Sequence, residues 1–304
     1  MKILLALAFS LDLRDDHLHF APMQNQDENQ RYCLEMVQKD DRERYLVSLF
    51  APNKRQRPLW ALLAFNQEVA RIRENVSEGA LGEIRLQWWS EVLEEIQQGQ
   101  VRQQPVIAEL AELEHKKVLI WPLLNEMLEA RKQEMFQGGT ASFGALTDYA
   151  NGVGGALHEA FLHVLLDADV SDGAKQAARA SGCAWAMMGL IRALPFHWQS
   201  GRNILPAEND AAMQMREAAK AFEGLRPTIS KMRGFAEQQL LVASEAKADI
   251  PRAARYCLLH ASLVRMHLKT LAKAGDNPFE MPLYELGDLR KIWGLNWANI
   301  TGRL

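Results

Sequence analysis

Apolar residues recur at helical spacing along almost the whole chain. Leu62, Phe65, Val69 and Ile72 fall three or four residues apart, and residues at those intervals share one face of a helix, so the segment is predicted to be amphipathic and helical. Leu59, Leu63, Asn66 and Ala70 make a second stripe beside the first. A helix covered on two sides is expected at the centre of a bundle. Pro58 is placed in its first turn, where a missing N–H costs nothing. Ser77 is read as the N-cap of a following helix that reaches Gln98 and is ended by Gly99.

The same periodicity predicts helices near 28–48, 104–117, 121–136, 142–166, 172–194, 208–222, 226–246, 250–274 and 282–296, punctuated by Gly138-Gly139, Asn277-Pro278 and Pro282. Trp198 to Asn209 is the least regular stretch. No repeat, low-complexity linker or strand-hairpin pattern interrupts the series, which points to one all-α domain over residues 28–304. Residues 1–27 carry one lysine and a short apolar run without a small-residue cleavage site, and are read as a loose N-terminal extension. No apolar run approaches the ~20 residues that a spanning helix needs, so any membrane contact is expected to be peripheral.

Composition narrows the classes. With 48% apolar and 24% charged residues the chain can bury a full core, and a net charge of −3 gives no basic footprint for nucleic acid. Cys33, Cys183 and Cys257 are an odd, scattered set without a CxxC. They suggest a reducing compartment and neither a disulfide framework nor a zinc site.

Three local patterns carry a resemblance. They are Leu59-Trp60-Ala61-Leu62-Leu63-Ala64-Phe65 leading to Glu74 and then Arg85-Leu86-Gln87-Trp88-Trp89; Tyr149-Ala150 before Gly152-Val153-Gly154-Gly155; and Gly189-Leu190-Ile191-Arg192-Ala193 followed by Gly201-Arg202-Asn203-Ile204-Leu205-Pro206. In order and spacing, over about residues 30–296, the chain resembles the squalene/phytoene synthase family. That resemblance implies an isoprenoid-synthase-type helical bundle around a central cavity. It also implies two facing helices whose aspartates hold Mg²⁺ against a prenyl diphosphate.

Those aspartates are mostly missing. The positions resembling the first motif are Ala70, Arg71 and Glu74, and those resembling the second are Gly189, Ala193 and His197. No Asp or Glu occurs from Gly173 through Ala207, so a second carboxylate cluster cannot be built there. Mg²⁺ requires hard oxygen ligands, and no catalytic residue, metal site or cofactor is expected. The groups left to hold a ligand are Glu74, Tyr149, Arg192 and Arg202. The two arginines could grip an anion or pair with acids on neighbouring helices.

A narrower resemblance is carried by Ala64-Phe65-Asn66 through Val76-Ser77-Glu78, by Leu81-Gly82, and by Leu190 through His197. It is to the branch of the family that lacks the aspartates and serves respiratory complex I assembly. It implies a non-catalytic protein with complex I subunits or assembly proteins, or a prenyl lipid, as partners, placed in the cytoplasm or on the inner face of the inner membrane. The alternative is an active prenyltransferase that joins prenyl diphosphates with Mg²⁺.

Other features receive plainer readings. Trp88-Trp89 could line a lipid cavity, although aromatics at helical spacing are generally core. The small residues around Gly152–Ala156 and Gly182–Gly189 could make room for a prenyl tail or for close helix packing. His158 and His163 are poorly spaced for a shared metal. His260 and His267, with Arg265 and Lys269, could form a basic face toward a membrane or partner, or a solvated helix.

Overall fold

The computed structural model describes residues 28–113, 117–135, 139–166, 169–282 and 287–302; the expected extension over 1–27 lies outside them. The described residues form helices α1 (Glu28–Asp40), α2 (Arg42–Ser48), α3 (Asn53–Ala70), α4 (Gly79–Gln97), α5 (Pro105–Ala111) and α6 (Lys117–Lys132). Then come α7 (Phe143–Ala150), α8 (Ala156–Leu165), α9 (Asp172–Gln199), α10 (Asp210–Met213), α11 (Ala218–Glu245), α12 (Leu259–Lys273) and α13 (Asp288–Thr301). No strand occurs among the described residues, and the fold is the all-α bundle that the periodicity predicts.

The predicted stripes of α3 are both interior. Leu59, Leu62, Leu63, Phe65, Val69 and Ile72 are all buried, because α1, α5 and α8 pack against this helix from different sides. Phe65 meets Trp89 of α4 edge to face, with ring centroids 5.2 Å apart. Each such fully buried large side chain contributes about 1.5–3 kcal/mol. Trp88, one residue earlier, points outward under Arg102, whose guanidinium lies 5.1 Å from its ring. The Trp pair therefore divides between core and surface.

Prolines mark fewer boundaries than the sequence suggests. α3 begins at Asn53 with Pro52 as its cap, so Pro58 lies inside the helix, beyond its first turn. α9 runs through Pro195 to Gln199, and α11 runs unbroken through Pro227. Pro227 faces solvent, where the carbonyl that loses its partner one turn back can be hydrated. α4 takes Glu78, not Ser77, as its N-cap residue. The expected 28–48 helix breaks at Asp41, whose side chain accepts from the Arg44 N–H and caps α2.

The glycine run serves close packing. Residues Asn151–Gly155 form a turn of π-helix joining α7 to α8, and α9 lies directly on it. A Cβ on Gly182 would come within 2.1 Å of the Gly154 carbonyl oxygen, and one on Gly154 within 2.3 Å of the Gly182 carbonyl oxygen. Only hydrogen fits between these backbones. Arg179 of α9 secures the same contact, pairing with Glu126 of α6 at 2.7 Å and with Glu159 of α8.

The expected solvated helix at 250–274 turns its histidine face into the core and leaves Lys269 and Lys273 exposed. His260 is fully buried among Phe161, Trp185, Tyr256 and His158, and His267 is 5% exposed. Burial pushes the His260 ring well below its ordinary value and His158 down to about 3. Both are neutral core residues, and His163 is buried as well, 3.7 Å from Glu159. The three cysteines are buried and free, and burial pushes each thiol up to about 12.

Candidate functional site

The C-terminal ends of α3 and α9 meet at one cavity, lined by Arg73 just past α3 and by Trp198 to Asn203 at the end of α9. α3 stops at Ala70, and Arg71–Asn75 form a turn. Glu74 is therefore exposed in the turn that follows the helix and not on the helix itself. Arg71 turns back to Asp40 of α1 at 2.8 Å. Arg73 donates from Nε to the Glu134 carbonyl at 3.0 Å.

On α9, Gly189 is exposed, with open space where a side chain would stand, and Ala193 is half-buried. His197 accepts at Nδ1 from Arg202 at 3.0 Å. Burial, with the Arg202 charge, lowers its pKa to about 4, which leaves that nitrogen free to accept. Arg202 also lies 5.8 Å over the Phe196 ring, and its Nε has no partner.

Beside these groups opens a cavity of about 890 Å³ whose lining includes Arg73, Glu134, Arg202, Asp210, Met213 and Arg216. The loops next to it are joined by a backbone bridge. Thr140 and Leu205 to Ala207 exchange backbone hydrogen bonds of 3.0 and 3.1 Å, and Gly139, at φ +74°, leaves no room for a Cβ against the Leu205 carbonyl. Deeper, among Glu134, Leu146, Tyr149 and Leu190, an adjoining space holds about 20 Å³, enough for about one water. A prenyl tail entering there must displace those side chains.

Tyr149 faces inward, and its hydroxyl donates to Glu134. Burial foremost, and then the Glu134 charge, push its pKa up, so it stays protonated. Glu134 also accepts from Arg131 at 2.9 Å, and Arg131 reaches Asn66 of α3 at 3.3 Å. Arg192 does not line the cavity. It bonds Glu43 of α2 at 2.8 Å, and the same carboxylate accepts from His267 and Lys291, each at 2.9 Å.

The structure thus brings Arg202, His197 and Tyr149 to the cavity region and leaves Arg192 and Glu74 apart from it. Glu43, Arg131 and Glu134 are not legible in the sequence because Glu43 meets partners far along the chain, and the local Arg131–Glu134 pair gains its place only through Asn66 and Tyr149. A magnesium cluster does not fit this donor set. Glu134 is already engaged by two donors, Asp210 is bonded by Asn203, and among the described residues no group of three His, Cys, Asp or Glu side chains could hold a metal. The cavity instead offers guanidinium donors to an anion.

Comparison with known proteins gives a consistent picture. The squalene/phytoene synthase family model matches residues 37–292. The mouse protein named NADH dehydrogenase (ubiquinone) complex I, assembly factor 6 is 28% identical over 260 residues, covering 84% of this chain and 77% of its own. The Bos taurus protein of that name is 32% identical over 178 residues, 59% of this chain, and that alignment spans about half of the relative, 53%. Among solved structures, a dehydrosqualene synthase in complex with ligand has a TM-score of 0.72 at 19% identity, with 90% of this chain and 96% of that one covered. A squalene synthase from Alicyclobacillus acidocaldarius has a TM-score of 0.68 at 17% identity, with 83% and 95% covered. At these identities the two structures speak for the fold.

Proposed function

The chain belongs to the squalene/phytoene synthase family, and within that family we propose that it is a non-catalytic member that acts in respiratory complex I assembly, at the inner face of the membrane. One observation carries the reading: the ends of α3 and α9, where the family resemblance places metal-binding carboxylates, present Ala70, Gly189, Ala193 and His197 beside an exposed Glu74. Ionising an allylic diphosphate develops charge on the leaving pyrophosphate, and without a metal clamp that charge is poorly stabilised. Several powers of ten in rate are lost. The relatives named as complex I assembly factors supply the process. A scaffold of this kind takes complex I subunits or other assembly proteins as partners. A prenyl lipid is a secondary ligand because the apolar space beside Tyr149 is narrow.

Two measurements test this together. Purified protein given farnesyl or geranylgeranyl diphosphate with Mg²⁺ should yield no squalene- or phytoene-like product above background. Deleting the gene should lower assembled NADH:quinone oxidoreductase and leave isoprenoid levels unchanged. Unaltered complex I in the deletion strain, with a changed isoprenoid profile, overturns the reading in favour of a prenyltransferase.

A further inference from the structure

We propose that α13 is a docking face for an anionic phospholipid surface and lies flat in the interface with its outer strip among the headgroups. The inference deepens the membrane placement given above, but it rests on this helix and needs nothing from complex I. Leu289, Trp293, Trp297 and Ile300 are 85, 72, 52 and 74% exposed. At about 100° per residue they occupy an arc of about 80°. The buried residues Leu295 and Ala298 lie on the opposite side. Trp293 and Trp297 stack on each other outside the fold, with centroids 6.1 Å apart.

The inner side alone accounts for how α13 is held. Lys291 bonds Glu43, Asp288 bonds Arg42 at 2.9 Å, and Gly294 sits against Met266 of α12. The outer strip has no part in that attachment. Single exposed apolar residues are ordinary, but a continuous strip with two indoles marks an interaction site. The family match ends at residue 292, so Trp293, Trp297 and Ile300 lie beyond it.

Charge selects the occupant. From Leu289 to Thr301 the helix has no carboxylate, and Arg290 is exposed beside the strip. α12, packed against α13, carries Arg265, Lys269 and Lys273 on one face, likewise without a carboxylate; Lys269 and Lys273 are exposed. An apolar strip rich in tryptophan and bordered by cations suits the boundary between anionic headgroups and acyl chains. A helix of 14 residues is about 21 Å long, too short to cross a bilayer but long enough to lie in its surface.

The test is flotation of the full chain with vesicles of phosphatidylethanolamine and phosphatidylglycerol, against vesicles of phosphatidylcholine alone. Binding is expected on the anionic vesicles, weaker in high salt, and at least about tenfold weaker for Trp293→Ser/Trp297→Ser. Both positions are exposed, so the variant's circular dichroism and melting should match the parent. Absence of binding, or equal binding by the variant, overturns the proposal. So does a concentration-dependent dimer that the variant abolishes, which assigns the strip to a second copy. Complementation of the deletion strain separates the two ideas: intact vesicle binding with no effect on complex I refutes the assembly reading and leaves this one standing.

Discussion

Arg192 of α9 and Glu43 of α2, 149 residues apart in the chain, lie 2.8 Å from each other. The arginine that the family resemblance assigns to phosphate is thus held by a buried carboxylate. His267 and Lys291 complete the cluster, joining α2, α9, α12 and α13 at one point. Burial alone would raise the Glu43 pKa, but the hydrogen bond from His267 and the Arg192 charge outweigh it and hold the carboxyl well below its ordinary range. Burial lowers His267, so the ring is neutral and donates its Nε2 proton to Glu43.

Replacing this carboxylate should destabilise the protein. Glu43→Ala leaves Arg192 and Lys291 facing one another without a counter-charge. The expected loss is about 2–4 kcal/mol, below the range for fully buried pairs because the Arg192 side chain keeps 38% exposure. The sign with pH follows from the depressed folded pKa. The stabilisation is complete above the ordinary value of 4.5 and is lost as the pH falls below it. Urea unfolding at pH 7 and at pH 4 measures both effects. A variant as stable as the parent at pH 7 rules the cluster out as a structural tie.

Two glycines of α9 should respond in opposite directions to the same change. Gly182→Ala drives a Cβ into the Gly154 carbonyl and to within 2.7 Å of His158 Nδ1, and overpacking of this kind costs about 1–3 kcal/mol or more. Gly189→Ala meets nothing within 4 Å and gains the better helix propensity of alanine, about 0.5–1 kcal/mol. Denaturation midpoints of the two variants decide it. Destabilisation by Gly189→Ala would show that the open space at this position is filled by something the fold needs.

The bundle was legible because apolar positions repeat at helical spacing, as Leu62, Phe65, Val69 and Ile72 show, and such spacing reports burial directly. Local charge told only half of α12: Lys269 is exposed, as its charge suggests, but the face that carries His260 and His267 is buried. His267 faces Glu43, a residue 224 positions away. That Ala70 and Ala193 stand where the resemblance implies carboxylates is a matter of residue identity alone. That α3 ends at Ala70, taking Glu74 off the helix, is not, since no Gly or Pro marks the end.

That early end shapes a final prediction. Ala70→Asp combined with Gly189→Asn and Ala193→Asp puts oxygen ligands at positions that the family resemblance marks, but the first carboxylate then stands on the last helical residue, with Glu74 exposed in the turn beyond it. Arg71 and Arg73 flank it, committed to Asp40 and to the Glu134 carbonyl. Mg²⁺ tolerates little departure from octahedral oxygen ligation, so no competent site should form. A site with a dissociation constant of about 0.1 mM would stabilise the protein by about 2.7 kcal/mol at 10 mM Mg²⁺. Melting of the triple variant with and without Mg²⁺ and inorganic diphosphate should show no such gain. The added carboxylates should instead destabilise it slightly, because Ala70 and Ala193 are half-buried and a charge there is partly desolvated. A magnesium-dependent rise in stability, with formation of a prenyl product when farnesyl diphosphate is supplied, would show that the helix ends retain the synthase geometry and that the missing aspartates alone silence the site.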